Sequence, residues 1–195
     1  MNTPKKYSIN NPLYSFISLF SKDSKTINYF IKYWDLITPD KNKYLIKEGN
    51  FCNYLYFIEQ GVVKKYYNSE KGEVITKIGI DNSFVGCLDS FFMQKTSMYN
   101  IKTIEKSIIR RLSFNDFSSM RDEHPDFNKI IIKIMESNFS KLESLVANLK
   151  KDSAKERYKA LLSEEPTMFL KAPLKDIASF LRMSPETLSR IRSDF

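Results

Sequence analysis

At 195 residues, 42% of them hydrophobic, the chain is long enough for one large domain or two small ones around a real core. It carries 31 Lys and Arg against 23 Asp and Glu, a formal net charge of +8 that suits an anionic partner, nucleic acid being the usual one. The two cysteines, Cys52 and Cys87, form no C-x-x-C pair and His124 is the single histidine, which argues against a disulfide framework, an iron–sulfur cluster and a zinc site.

The first ten residues are polar and read as a loose tip, with no signal-peptide core. No apolar run is long enough to span a membrane, so a cytoplasmic protein without membrane contact is expected. Asn11-Pro12 opens an apolar stretch, 13–20, that suits a short helix. A second helix is expected after Ser24, with Ile27, Phe30, Ile31, Trp34 and Ile37 at helical spacing and Trp34 in the core.

From Lys43 the texture changes to short runs rich in Tyr, Phe, Ile and Val, at 44–46, 54–58, 62–67, 74–80, 101–104 and 108–112. All five glycines, Gly49, Gly61, Gly72, Gly79 and Gly86, lie in this segment, where sharp turns call for positive φ. Strands at this spacing predict an antiparallel β-sandwich or roll.

A long helix is expected over 126–150. Ile131, Met135, Asn138, Leu142, Leu145 and Leu149 advance in alternating steps of four and three, as in a coiled-coil seam. Phe127, Ile130, Ile134, Phe139 and Val146 broaden the apolar surface, so two stripes need burial, one against the β-roll and one against a second copy. Burial wholly within one chain is the alternative, and the dimer is preferred. Asn138 is the polar member that can set register. The polar stretch 150–156 then suits a hinge, and 157–162 a short helix broken at Glu164-Glu165-Pro166. Met168-Phe169-Leu170 suits a small strand.

The last stretch, 174–192, is the most explicit. Ser184 is a good helix N-cap, Pro185 stands at the first helical position, and Glu186 sets negative charge against the positive end of the helix dipole. At about 100° per residue, Leu188, Ile191 and Phe195 share an apolar face. Pro185, Glu186, Ser189, Arg190 and Ser193 form a polar one with a basic component. Two short helices joined by a tight turn in this way read as a helix-turn-helix.

This stretch resembles the DNA-binding helix-turn-helix of the Crp/Fnr superfamily. Asp176, Ile177, Ala178, Leu181, Ser184, Glu186, Thr187, Leu188, Ser189, Arg190 and Ile191 fit the phrase D-I-A-S-x-L-x-M-S-P-E-T-L-S-R-I-R. Tyr56-Phe57-Ile58-Glu59-Gln60-Gly61-Val62, with the turn Glu48-Gly49, is similar to a strand-turn-strand phrase of the family's sensor domain. The resemblance implies an α+β chain with a cyclic-nucleotide-binding-like β-roll (a jelly roll) and N-terminal helices over 1–124. A dimerisation helix over 125–150 and a helix-turn-helix domain over 151–195 follow. It also implies a homodimeric transcription regulator acting on double-stranded DNA. The alternative outside this class is a protein-interaction module without DNA binding. No nucleophile stands with an orienting base, so neither an enzyme nor a cofactor is expected.

In cyclic-AMP-binding members of the family, a glycine-glutamate pair reaches the ribose, and an arginine with a small neighbour grips the phosphate. The matching loop here is 84–98. It keeps Gly86 but has Cys87 in the glutamate's place, with Ser97 and Met98 in those of the arginine and its neighbour. Charge-assisted bonds of that kind are worth roughly 1.5–3 kcal/mol each, so neither cyclic AMP nor cyclic GMP is expected to bind. Lys95 or Lys102 can restore a point charge but not the planar fork. Phe91, Phe92, Met93 and Met98 make the loop apolar, which leaves open a self-filled pocket or an unidentified small-molecule effector. Cys87 reads as a small buried hydrophobe rather than a redox sensor.

The resemblance gives base reading to Glu186 and Arg190. Arg190 suits guanine O6 and N7, for roughly 1–3 kcal/mol of discrimination, and Glu186 suits cytosine N4. An intrahelical pair at i, i+4 is the simpler role for both, compatible with the first. Lys175, Arg182, Ser184, Thr187, Ser189 and Arg192 suit phosphate or sugar contacts. Pro185 stands where some relatives carry a further base-reading arginine. Arg182 stands where relatives often have glycine, and left-handed backbone there would cost roughly 1–2 kcal/mol. With the sequence ending at Phe195, the wing hairpin is expected to be incomplete, which puts base reading on the recognition helix and makes dimerisation necessary for affinity.

Overall fold

The computed structural model describes residues 10–151 and 153–194. The expected loose tip falls, but for Asn10, outside the described residues, as does Phe195.

Two short helices open the fold. In α1 (Pro12–Ile17) the Asn11 carboxamide accepts from the Tyr14 N–H at 2.9 Å. In α2 (Ser24–Ile31) the Asp23 carboxylate accepts from the N–H groups of Lys25 and Thr26, both at 3.1 Å. The helical spacing read through Ile37 ends at Ile31. Trp34 is a buried turn residue, and Ile37 belongs to strand β1 (Asp35–Ile37). A free sheet edge decides this: β1 pairs with β8 (Ile108–Ser113), Leu36 opposite Arg110, and satisfies its backbone there.

The remaining strands are β2 (Tyr44–Ile46), β3 (Tyr54–Gln60), β4 (Val63–Ser69), β5 (Gly72–Gly79), β6 (Ser83–Val85) and β7 (Asn100–Thr103). They form two antiparallel four-stranded sheets, β1-β8-β3-β6 and β2-β7-β4-β5. Positive φ falls on Gly49, Gly61 and Gly72, but not on Gly79 or Gly86. Gly79 serves close packing instead, since a Cβ there would clash with the Val85 side chain. Asn42, Asn82 and Gln94 take up other left-handed turns, which Asn tolerates best.

Helix α3 (Leu88–Met93) lies inside the predicted ligand loop. Helix α4 (Phe114–Glu123) follows β8, its N-cap Ser113 accepting from the Asp116 N–H at 3.0 Å. The long helix is α5 (Pro125–Leu149). Its residues Phe127, Ile130 and Ile134 enter the roll's core with Phe30, Phe57, Phe91, Ile101 and Leu112.

Helix α6 (Ala154–Glu164) starts in a full capping box between Ser153 and Glu156. The strand expected at 168–170 is instead helix α7 (Pro166–Lys171). Pro166 begins a new helix as well as ending the old one, and this turns Met168 into the core and leaves Leu170 outside. Helices α8 (Leu174–Phe180) and α9 (Pro185–Ser193) complete the chain.

A second core joins these helices to the outer face of the roll. Val62, Tyr66, Ile75, Ile78 and Ile80 pack with Tyr158, Leu161, Met168, Ile177, Leu188 and Ile191. Polar links reinforce it. Lys64 pairs with Glu73 and, at 3.6 Å, with Asp176; Lys171 pairs with Asp81; and the Ile75 N–H donates to Ser179 Oγ at 3.1 Å.

Candidate nucleic-acid interface and sensor chamber

The turn between α8 and α9 is pinned from both sides. The Leu181 and Met183 N–H groups donate to the carbonyls of Ile177 and Ala178 at 2.9 and 3.0 Å. The Arg157 guanidinium on α6 donates to the carbonyls of Leu181 (3.0 Å) and Lys151 (2.9 Å). Arg182 sits at φ 54°, so the left-handed backbone considered for it is real. Ser184 Oγ accepts from the Thr187 N–H at 3.1 Å, the N-cap read from the sequence.

Leu188 and Ile191 are buried against α8, which leaves Glu186, Ser189 and Arg190 exposed on the outer face of α9. Hydrogen bonding to the Ser184 side chain and to its own backbone N–H holds the Glu186 carboxyl below the usual carboxylate range. Among the described residues no Glu186–Arg190 ion pair forms, so the simpler intrahelical role is not the one adopted. Lys175, Arg182, Ser184 and Arg192 are exposed around this face. Thr187 is half-buried, and its Oγ1 lies 3.2 Å from Ser184 Oγ.

Along α5 the apolar residues divide. Ile132, Met135, Phe139, Leu142 and Val146 are exposed. Of the predicted seam, Met135 and Leu142 lie on this outer stripe. Ile131 and Leu145 pack partly against the chain's own cores, Asn138 and Leu149 are half-buried, and the Asn138 side-chain amide donates to the Ile134 carbonyl at 2.8 Å.

The predicted ligand loop is mostly self-satisfied. Ser97 is buried and its hydroxyl bonds the backbone of Tyr99 at 2.9 and 3.0 Å, while Met98 is 63% exposed. Phe91 and Phe92 pack against Phe117 with centroids 5.6 and 5.5 Å away, and Met93 faces outward. Cys87 is fully buried, as expected of a small hydrophobe, but Cys52 lies beside it. Their side chains hydrogen-bond, which lowers the Cys52 thiol to about 7 and, together with burial, raises that of Cys87.

Neither lysine suggested for a point charge stands beside Gly86. Lys95 pairs with Asp89 at 3.6 Å, and Lys102 lies over the Tyr44 ring. Lys65 is the cation there, its Nζ 3.3 Å from the Gly86 carbonyl and 4.1 Å from the Tyr99 ring centroid. Lys77 is its cross-strand partner. Both are missing from the sequence reading, although the alternation Val63, Lys65, Tyr67 against Val62, Lys64, Tyr66 marks Lys65 as opposite in face to the outer Lys64. Among the described residues no metal-binding cluster occurs, and no helix is long and apolar enough to cross a membrane.

Residues 38–124, which contain this loop, match the cyclic nucleotide-binding domain family. The "Anaerobic regulatory protein" of Haemophilus influenzae is 25% identical over 167 residues, 80% of this chain and 64% of that protein. FixK2 from Bradyrhizobium japonicum shares the fold with a TM-score of 0.71 at 16% identity, over 83% of both chains. The c-di-GMP responsive global regulator CLP of Xanthomonas campestris does so at 0.65 and 16%, over 88% of this chain and 91% of that one. The chain spans about three fifths to two thirds of the length of the curated relatives it matches. Its β-roll, long helix and C-terminal helical region share the fold of these solved regulators, and residues 38–124 are similar to cyclic nucleotide-binding domains.

Proposed function

We propose that the chain is a sequence-specific DNA-binding transcription regulator that acts as a homodimer and does not respond to cyclic AMP or cyclic GMP. The observation that carries this is α9, a capped helix locked by its apolar face while Glu186, Ser189 and Arg190 stand exposed and unengaged with one another. Such a face suits the major groove, with Arg190 on guanine and Glu186 on cytosine. Lys175, Arg182, Ser184, Ser189 and Arg192 suit phosphates around it, as does Thr187 at the helix start.

The dimer is proposed through the exposed stripe of α5, whose five members advance by three and four as a coiled-coil seam requires. That stripe replaces the seam read from sequence, because Ile131 and Leu145 are partly buried within the chain. Two recognition helices would then address successive major grooves about 34 Å apart. Unresponsiveness to cyclic nucleotides rests on Cys87 and Ser97, neither of which offers the ribose carboxylate or the phosphate fork.

Binding to a randomised DNA pool tests the reading. Arg190→Ala should flatten sequence preference, whereas Lys175→Ala should weaken all sequences alike and lower the salt slope by about one. Retained specificity in Arg190→Ala would sink the assignment, and absence of any salt-dependent binding would favour a protein-interaction module. A regulator gated by a small-molecule effector in the roll is the second reading, favoured by the two lysines at its inner face.

A further inference from the structure

The chain has two cysteines, and the roll brings both to one place. In the β3–β6 ladder Tyr56 stands opposite Val85, and two further steps along it bring Cys87 level with Tyr54. The Tyr54 carbonyl accepts from the Cys52 thiol at 3.3 Å. From the other side, the Cys52 N–H donates at 2.9 Å to Ser90 Oγ, in the first turn of α3, the helix whose N-cap is Cys87. Cys52 is therefore held between the strand position level with Cys87 and the helix that Cys87 begins. The two thiols are buried, unbridged and side by side in one core. Cys87 packs as the small hydrophobe expected of it, and its neighbour Cys52 adds the chemistry.

We propose that Cys52 and Cys87 form a site of oxidative modification, a dithiol that a hydroperoxide converts to an internal disulfide. The Cys52 sulfur attacks the outer oxygen of ROOH, the O–O bond breaks, and ROH leaves with the Cys52 proton, which makes Cys52 a sulfenic acid. The Cys87 sulfur then attacks the Cys52 sulfur, the S–O bond breaks, and water leaves with the Cys87 proton. The sulfur pair gives up two electrons and the peroxide takes them. Cys52 is the first to react, because the hydrogen bond from Cys87 lowers its thiol to about 7, whereas the same bond and burial raise that of Cys87.

Access comes through α3. This helix has six residues, and its N-cap Cys87 makes no side-chain capping bond. So short and weakly started an element opens locally more readily than the sheet beneath it. A small peroxide reaches Cys52 in such openings, and a bulky oxidant such as glutathione disulfide reacts far more slowly. The new bond ties the segment entering β3 to the start of α3 and closes the chain between them into a loop.

The experiment treats the whole reduced protein with hydrogen peroxide, followed by intact-mass measurement and thiol titration in denaturant. The expected product is a single chain lighter by two hydrogens, with no free thiol, and dithiothreitol should restore both thiols. Its Tm should exceed that of the reduced protein by several degrees. Amide exchange should slow across α3 and stay unchanged in β4 and β5. Cys87→Ser should stop at a sulfenic acid on Cys52, trapped by dimedone, and Cys52→Ser should leave Cys87 about tenfold less reactive or slower still. The wild-type masses decide the case alone if either variant fails to fold. Disulfides between chains, two oxygens gained on one cysteine of the wild type, or two thiols untouched by peroxide overturn the proposal. So does an internal disulfide that lowers Tm, since sulfurs already in place need no distortion to join.

Discussion

Cys87 and Ser97 are small, buried and occupied by protein partners, which bears on more than their missing charges. Ser97 donates to the Tyr99 carbonyl and accepts from its N–H, so engaging a phosphate would break bonds already made. Cys87 lies beside the free thiol of Cys52, whose backbone N–H in turn donates to Ser90 Oγ at 2.9 Å. Calorimetry with cyclic AMP and cyclic GMP should therefore show no heat of binding at micromolar nucleotide, and a saturable micromolar isotherm would refute it. Ser97→Arg alone should not restore binding, because Cys87 still lacks the ribose carboxylate. Arg182 shows a different economy: it accepts left-handed backbone while the Arg157 guanidinium holds the adjoining Leu181 carbonyl. Its strain is offset by a tertiary contact.

Helix α5 illustrates how one element serves two surfaces. Its first turns are spent on the roll through Phe127, Ile130 and Ile134, while Ile132, Met135, Phe139, Leu142 and Val146 stay exposed. An apolar stripe of that length calls for a partner. The second copy is its proposed occupant. Leu142→Lys should yield a monomer by size-exclusion chromatography with light scattering. Its Tm should change little at low protein concentration, since exposed positions contribute within about 0.5 kcal/mol to a protomer. Affinity for a two-site DNA should fall at least tenfold, while contacts at a single half-site persist. A Leu142→Lys protein that remains a dimer would place the seam elsewhere.

Across the whole molecule, the β-roll and the C-terminal helices share a core and a set of polar clasps. Lys64 is the pivot, pairing with Glu73 of its own sheet and with Asp176 of α8, both Lys64 and Asp176 being buried. Removing one partner of a buried network usually costs more than the pair contributes. Here Glu73 remains to hold Lys64, so Asp176→Ala should cost about 1–3 kcal/mol rather than unfold the chain. Amide hydrogen exchange should quicken in α8 and at Ile75, where Ser179 ties helix to strand, and stay unchanged in β3 and β8. Exchange quickened equally everywhere would mean the contact is not a local clasp.

Much of this architecture is legible in the order of residues alone. Caps and turns are local chemistry, so Ser184-Pro185-Glu186 marks the start of α9 and the short β-rich runs mark the roll without reference to anything distant. Periodicity located α5 to within a residue. What depended on the third dimension was which partner each face found. Ile37 left its helical pattern because β8 offered a free edge, and Met168 joined a helix because a hydrophobic core lay beside it rather than a strand. Ile131 and Leu145 were drawn into the chain's own cores, which moved the outward stripe round the helix. Cys52 and Cys87, 35 positions apart, meet only because the β3–β6 pairing brings their loops together. Lys65 and Lys77 are likewise two unremarkable lysines until strand register sets them opposite each other. A sequence specifies faces and ends, because these arise from neighbours within a few residues; whether two faces meet is decided by packing over the whole chain.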